Sequence, residues 1–200
     1  MFDIVQQFES KIAEFYNAPY AVATDSCTHA IELSLRYEKS NDVRCPKHTY
    51  LSVPMTFEKL NLSWSFSNQQ WLDYYFIDNT RIVDAAVYWK RNSYIKNTLF
   101  CLSFQFRKHL SLGRGGAVLC STEQEYLWLK KSSYDGRLPD SPWAQQNISQ
   151  LGYHYYMTPE TAQSGINKLQ SAIETEPARW SWKNYPDISI MDVFKNEKSK

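Results

Sequence analysis

The sequence predicts an α/β fold in which helices flank a mostly parallel sheet. Segments with the composition of strands alternate with segments of helical spacing, which is typical of this class. A short apolar strand at residues 20–24 runs directly into a helix that begins near Ser26 or Thr28. The 200 residues, of which 43% are apolar, suffice for one sizeable core. We therefore expect one domain over residues 1–185, followed by a polar C-terminal tail at residues 186–200.

The predicted elements follow from periodicity and from capping residues. Residues 3–16 place Phe8, Ile12 and Phe15 at helical spacing with charges between them, which indicates an amphipathic helix. Each of the segments 122–132 and 158–174 opens with a threonine that is suited to cap a helix. After residue 24, strands are predicted at residues 43–45, 49–53, 62–66, 74–77, 82–83, 99–104 and 117–120.

Composition excludes several classes of function. The net charge is +1 with no basic stripe, so the chain has no electrostatic means of binding nucleic acid. No apolar run approaches the length of a membrane span, and no basic segment followed by an apolar one opens the chain, so we expect a cytoplasmic protein without a membrane partner. The four cysteines have no CxxC spacing and no histidine placed to complete a zinc set, which favours reduced, mostly buried thiols.

Lys108 is the most informative residue of the chain. It lies in a polar loop between the apolar strands predicted at 99–104 and 117–120, and three of the six glycines, Gly113, Gly115 and Gly116, follow it closely. A lysine between two sheet strands is partly desolvated, which favours the neutral amine that attacks carbonyl groups. The predicted helix start at Ser26 adds free amides and a positive dipole end, a natural site for phosphate.

Seven segments, taken in order, resemble the DegT/StrS family of nucleotide-sugar aminotransferases, which depend on pyridoxal phosphate (PLP). They are FESKIAEFY at 8–16, YAVATDSCTHA at 20–30, TYLSVPMT at 49–56, VDAA at 83–86, SFQFRKHL at 103–110, GRGGAV at 113–118 and LGYHYYMT at 151–158. The resemblance covers most of residues 8–170. It implies the large domain of a fold-type I PLP-dependent aminotransferase, shortened and without the family's C-terminal domain, and it implies a homodimer.

The resemblance also assigns roles to individual residues. Lys108 aligns with the lysine that attaches the cofactor and shuttles the substrate proton, and Asp84 aligns with the aspartate that keeps the cofactor's ring nitrogen protonated. Tyr50 matches the aromatic residue that stacks on the ring. The complete set of implied cofactor-binding residues is Ser26, Cys27, Thr28, Tyr50, Asp84, Ser103, Lys108 and His154, of which Ser26, Thr28 and Ser103 match positions that hold the phosphate.

Three positions depart from the family pattern. Cys27 stands where relatives have a glycine, and its side chain crowds the approach of the backbone to a phosphate. Val87 replaces a residue that hydrogen-bonds near the cofactor's phenolic oxygen. His154 replaces an asparagine that reaches the phosphate of the neighbouring subunit, and it retains the ability to donate one hydrogen bond.

The function implied by the resemblance is transfer of an amino group from an amino acid such as glutamate to a nucleotide-linked ketosugar. Two alternatives stay open. One is a non-enzymatic relative that serves as a binding or partner subunit, which the three departures favour. The other is a PLP-dependent sugar dehydratase, in which a histidine replaces the lysine; His109 is adjacent to Lys108, so a shift of one residue would exchange the two.

Overall fold

The computed structural model describes residues 3–195, which form an α/β fold as the sequence predicts. The helices are α1 (Asp3–Tyr16), α2 (Cys27–Glu38), α3 (Ser52–Lys59), α4 (Glu123–Ser133), α5 (Pro159–Glu174) and α6 (Asp192–Lys195). The strands are β1 (Tyr20–Thr24), β2 (Asp42–Pro46), β3 (Ser63–Ser67), β4 (Tyr75–Phe76), β5 (Ile82–Asp84), β6 (Leu99–Ser103) and β7 (Gly116–Cys120). Short 3-10 helices lie at Trp143–Gln145, Trp182–Asn184 and Ile188–Ile190.

The central sheet is mixed, so the prediction of a mostly parallel sheet was wrong. Its order is β1-β7-β6-β5-β4, and only β5 and β6 pair in parallel, while β2 and β3 form a separate parallel pair. The links between β4 and β5 and between β6 and β7 contain no helix. A parallel connection needs a crossover, usually helical, so these two links return the chain antiparallel.

The strand predicted at residues 49–53 is also wrong, because α3 begins at Ser52. Pro54 lies in the first turn of this helix, where the missing backbone N–H of proline has no partner to lose. Pro54 is therefore compatible with the helix that the structure shows. The correction leaves Thr49 and Tyr50 in the turn that precedes α3.

The core lies on both faces of the central sheet. Helices α1 and α5 pack on one face, where Phe8 and Phe100 are fully buried, and α2 and α4 pack on the other, where Leu33 and Leu99 are fully buried. Neighbouring residues of β6 alternate between the two clusters, as the period of a strand requires. Both faces of the strands are therefore covered, which explains their continuously apolar sequences.

Residues 186–195 are folded onto the domain, although their composition suggested the start of a polar tail. Ile188 and Phe194 are buried, and Phe194 packs edge-on against Trp64 and Phe66 of β3. The carboxylate of Asp187 lies 2.9 Å from the ammonium of Lys47. Two apolar anchors among polar residues are thus enough to attach this segment, and the remaining part of the expected tail, residues 196–200, lies outside the described residues.

Cys45, Cys101 and Cys120 are buried, Cys27 is half-buried, and all four are free thiols. Within residues 3–195, no helix combines the length and the apolar character that crossing a membrane requires.

Candidate active site

Three strands end at the same edge of the central sheet. β1, β5 and β6 run in one direction, because β7 pairs antiparallel with both β1 and β6 while β5 and β6 pair in parallel. The carboxyl ends of such strands are where open α/β sheets bind ligands. A cavity of about 640 Å³ opens at this edge, a volume in the range of small-molecule sites.

The structure brings together seven of the eight site residues that the sequence suggested. Ser26, Cys27, Thr28, Tyr50, Asp84, Ser103 and Lys108 all line the cavity. They come from segments that are far apart in the chain: the start of α2, the turn before α3, the end of β5, and β6 with its following loop. Val87 lines the cavity as well, as an apolar wall without a hydrogen-bonding group.

The loop that carries Lys108 is held by backbone hydrogen bonds and by a buried anchor. The Phe104 and Phe106 amides donate to the Gly115 and Gly113 carbonyls at 2.9 and 3.0 Å, and Leu110 is fully buried. Gly113 has a φ of +81°, a conformation that favours glycine. The backbone of the loop is therefore determined without the Lys108 side chain.

The Lys108 ammonium is half-buried in the cavity wall, where its Nζ lies 5.8 Å from the ring centroid of Trp180. Burial lowers the pKa of Lys108, and the Asp84 carboxylate only partly opposes this effect. His109 points elsewhere, because its Nε2 lies 2.7 Å from the Ala172 carbonyl oxygen. The cavity is thus lined by the lysine and not by the neighbouring histidine, so the geometry gives the dehydratase alternative no support.

Asp84 ends β5 with a carboxylate that is only 7% exposed. Its Oδ1 accepts a hydrogen bond from the Ala86 amide at 3.0 Å, and its Oδ2 accepts one from the Tyr75 hydroxyl at 2.5 Å. Burial raises the pKa of Asp84, while these two hydrogen bonds and the charge of Lys108 act in the opposite direction. The site therefore holds a carboxylate that is stabilised by few partners and is sensitive to each of them.

The start of α2 forms the polar wall of the cavity. Ser26 caps the helix, and its Oγ accepts a hydrogen bond from the His29 amide at 3.2 Å. The Thr28 hydroxyl lies 2.7 Å from the Ser52 hydroxyl, and the Ser103 hydroxyl accepts from the Gln105 amide at 3.4 Å. These hydroxyls surround a helix N-terminus, a combination suited to bind an anion.

Gly116 allows this helix start to lie close to the sheet. A Cβ at Gly116 would lie 2.4 Å from the Cys27 amide nitrogen and 2.4 Å from the Ser26 carbonyl carbon. Both of these atoms belong to the backbone, and Gly116 itself is fixed by its pairing with Thr24 and Ser103. The helix start and the strand therefore cannot move apart without a cost in stability. The close approach of the start of α2 to the sheet is thus made possible by a glycine of β7.

We expect Gly116→Ala to displace the start of α2, lowering the free energy of unfolding by about 1–3 kcal/mol and weakening PLP binding. Gly113→Ala is the control, because its Cβ would meet no atom within 4 Å and its cost is confined to the positive φ of +81°. Urea unfolding and equilibrium PLP titration measure the two effects. Equal PLP affinity in Gly116→Ala and the wild type would contradict this view of the helix start.

The Cys27 thiol lines the cavity, where its surroundings disfavour the nucleophilic thiolate. Burial raises its pKa strongly, and the Asp84 carboxylate raises it further, which outweighs the effect of Lys108. Nucleophilic cysteines need a lowered pKa.

His154 is the one suggested residue that the structure does not bring to the cavity. Its side chain is 71% exposed, and its Nδ1 lies 3.2 Å from both carboxylate oxygens of Asp135. It directly precedes Tyr155, whose carbonyl accepts a hydrogen bond from the Asp25 amide at 2.8 Å next to the end of β1.

Several lining residues were missed by sequence reasoning. They are Thr49, Trp71, Tyr75, Arg107, Arg114, Trp180, Asn184 and Tyr185. Trp180 and Tyr185 reach the cavity because residues 180–186 fold back across it: the Trp180 carbonyl accepts from the Asp73 amide at 2.8 Å, and the Trp182 amide donates to the Trp71 carbonyl at 3.1 Å. No local pattern predicts this return, although the density of aromatic residues in the segment is a weak signal of packing.

The charges that line the cavity favour an anionic ligand. Within the described chain, Arg107, Lys108 and Arg114 are the cations of the lining and Asp84 is its carboxylate. Arg114 is partly committed, because its Nη2 lies 2.6 Å from the Asp25 carboxylate. Through its contacts with Asp25, Arg114 lies next to the start of α2.

Comparison with known proteins gives a family match for the first part of the sequence and a shared fold for most of the chain. The model of the DegT/DnrJ/EryC1/StrS aminotransferase family matches residues 2–82. Three solved structures show the same fold over 86% of this chain: 3-amino-5-hydroxybenzoic acid synthase (19% identity, TM-score 0.70), a sugar aminotransferase from Micromonospora echinospora (13%, 0.70) and PseC from Helicobacter pylori, an aminotransferase of pseudoaminic acid biosynthesis (13%, 0.68). A comparison with curated protein sequences gives no match.

The matched regions cover 56%, 61% and 58% of those three chains, so this chain spans less than two thirds of their length. The resemblance inferred from the sequence motifs is nevertheless confirmed. Residues 2–82 match the model of the DegT/DnrJ/EryC1/StrS aminotransferase family, and the chain shares the fold-type I aminotransferase fold of the solved structures.

Proposed function

We propose that this chain binds PLP and transfers an amino group from an amino acid to a sugar. The observation that carries the proposal is the presence of Lys108, Asp84 and the start of α2 on the walls of one cavity. The cavity thus offers three chemically different features: an amine with a lowered pKa, a buried carboxylate and a site suited to an anion. PLP, with its aldehyde, ring nitrogen and phosphate, makes use of all three.

The donor set fits this cofactor group by group. The hydroxyls of Ser26, Thr28 and Ser103 and the amides at the start of α2 would hold the phosphate. Asp84 would pair with the ring nitrogen, and Tyr50, exposed at the turn before α3, would cover the ring. The charge balance of the lining, three cations to one carboxylate, supports a ligand that carries negative charge.

In this proposal each residue has a distinct task. When bound, PLP supplies an electron-accepting ring that stabilises negative charge at the substrate carbon. Lys108 would bond through its neutral amine to the aldehyde carbon with loss of water. Once the substrate amine had displaced it, the freed Lys108 amine would carry a proton between substrate and cofactor atoms. Asp84 keeps the ring nitrogen protonated. The Trp180 ring, whose centroid lies 5.8 Å from the Lys108 Nζ, would shield the amine from water.

For the substrates, we propose an amino acid such as glutamate as donor and a nucleotide-linked ketosugar as acceptor. Arg107 and Arg114 at the mouth supply positive charge for an anionic substrate, and the exposed rings of Tyr50 and Phe106 supply flat apolar surface. We also propose a homodimer, in which the exposed His154 reaches the phosphate end of the neighbouring site.

The direct test is an absorbance titration of the purified protein with PLP, followed by borohydride reduction and peptide mapping. We expect a visible band and a reduced adduct on the peptide that contains Lys108. Pyridoxine 5′-phosphate, which lacks the aldehyde, is the control that binds without becoming attached. An absence of attachment at saturating PLP would reject the enzyme and favour a non-enzymatic partner subunit.

A further inference from the structure

Asp84, Tyr75 and Thr49 form a chain of three buried, hydrogen-bonded side chains in the wall of the cavity. The Tyr75 hydroxyl lies 2.5 Å from Asp84 Oδ2 and 2.5 Å from the Thr49 hydroxyl. Tyr75 is 4% exposed and Thr49 is 2% exposed. Tyr75 lies on β4, the antiparallel neighbour of β5, in direct register with Asp84.

The direction of these hydrogen bonds follows from the number of protons available. A carboxylate only accepts, so the single hydroxyl proton of Tyr75 is donated to Asp84. The Thr49 hydroxyl must then donate to the Tyr75 oxygen, since Tyr75 has no second proton to give. The hydrogen bonds are therefore donated from Thr49 to Tyr75 and from Tyr75 to Asp84.

Few other groups around Asp84 are able to hold its charge. The titratable groups that face it from the packed elements are Tyr75, Cys27, Cys45, Cys101, Tyr185 and Lys108. Burial raises the pKa of each of the three cysteines and of Tyr185, so all four are neutral, and they offer Asp84 no positive charge. Lys108 acts through its charge, whereas Tyr75 and the Ala86 amide donate hydrogen bonds.

We propose that Tyr75, oriented by Thr49, is a positioning residue that keeps Asp84 ionised and directed at the cavity. The inference rests on the proposed function, because the ligand group that Asp84 would meet is the ring nitrogen of PLP. A short hydrogen bond from a phenol to a carboxylate stabilises the charged form and restricts the carboxylate to one rotamer. Loss of the hydroxyl leaves the carboxylate with the Ala86 amide and the more distant charge of Lys108.

The first test uses the protein without cofactor and compares Tyr75→Phe with Tyr16→Phe. Tyr16 is 1% exposed and donates to the Tyr88 carbonyl at 2.7 Å, so the control removes a buried hydroxyl remote from the cavity. The pKa of Asp84 is raised by burial, so the folded state binds its proton more tightly than the unfolded chain, and stability falls as pH rises through that pKa.

Because the Tyr75 hydrogen bond lowers the pKa of Asp84, Tyr75→Phe should extend this fall in the free energy of unfolding to higher pH. Tyr16→Phe should shift the whole pH profile in parallel. Urea unfolding over a range of pH measures both. Parallel profiles for the two variants would overturn the proposal, whether or not PLP binds.

The second test separates a role toward the cofactor from a general structural role. We expect Tyr75→Phe to bind PLP about tenfold more weakly than the wild type, the effect of one hydrogen bond to a charged group. An analogue with carbon in place of the ring nitrogen has nothing for Asp84 to hold, so its affinity should be the same in both proteins. Equal weakening of PLP and the analogue would overturn the proposal.

Thr49 supplies a second variant should Tyr75→Phe fail to fold. Thr49→Val removes the donor to Tyr75 with little change of shape, and Thr49→Ser retains it. We expect the valine variant to reproduce the altered pH profile and the serine variant to restore it. If the wild type attaches no PLP, the proposed function and the cofactor role of Tyr75 both fail, while the pH profiles still decide whether Tyr75 controls Asp84.

Discussion

Lys108→Ala is expected to abolish covalent attachment of PLP and to leave the fold intact. Attachment needs an amine at this position, and Lys108 is the amine in the cavity lining of the described chain. The fold should survive because the loop is held by its backbone hydrogen bonds and by Leu110. A half-buried side chain without a partner that it must satisfy costs about 1 kcal/mol or less on truncation.

The measurement is borohydride reduction in the presence of PLP, followed by mass spectrometry of the intact protein and of its peptides. Lys183→Ala is a matched control: its Nζ also lies over a tryptophan of the same segment, 5.7 Å from the Trp182 ring centroid, but it does not line the cavity. The control should retain full attachment. An adduct that persists in Lys108→Ala would show that another amine is used.

The pH dependence of attachment provides an independent check on the same lysine. Burial lowers the pKa of Lys108, so a larger fraction of its amine is neutral near neutral pH than for an exposed lysine. We expect the rate of PLP attachment to reach its plateau at a lower pH than in a model lysine peptide. A plateau at the same pH as the peptide would indicate a solvated amine.

Asp84→Asn is expected to retain PLP attachment and to suppress transamination by about 10²–10³-fold, the size of effect seen when one group facing developing charge is removed. Asparagine keeps the shape of the side chain but lacks the negative charge that holds a proton on the ring nitrogen. Formation of 2-oxoglutarate from glutamate measures the first half of the transfer and needs no sugar acceptor.

Asp84→Asn should lower the transamination activity but not the stability of the protein. Burial raises the pKa of Asp84, so at neutral pH the folded protein holds a carboxylate that is penalised by its surroundings. Asp84→Asn should therefore unfold at an equal or higher urea concentration than the wild type, as expected where function is favoured over stability.

The control for the transamination measurement is Asp78→Asn, which removes a carboxylate 3.4 Å from Arg44 outside the cavity and should transaminate normally. Unchanged 2-oxoglutarate formation in Asp84→Asn would remove the role of Asp84.

The ordered motifs predicted most of the candidate site. Asp84 ends a buried strand, and Ser26 and Lys108 each follow one. Strands that share a direction have their carboxyl ends at one edge of the sheet. Tyr75 and Thr49 were not predictable, because their contacts with Asp84 depend on the register of β4 and on the packing of the turn before α3. The return of residues 180–186 over the cavity depends on aromatic packing that no local periodicity encodes.

By itself, the sequence determined the segments that become helices and apolar strands, the capped start of α2 and the residues at the strand ends. These features are local, because caps, periodicity and strand ends are set by residues a few positions apart. The tertiary structure decided the strand directions, the helix at 52–59, the partners of Asp84 and the placement of His154 outside the cavity. Each of these depends on which distant segments share buried surface and hydrogen bonds, and such pairings are absent from any local stretch of the chain.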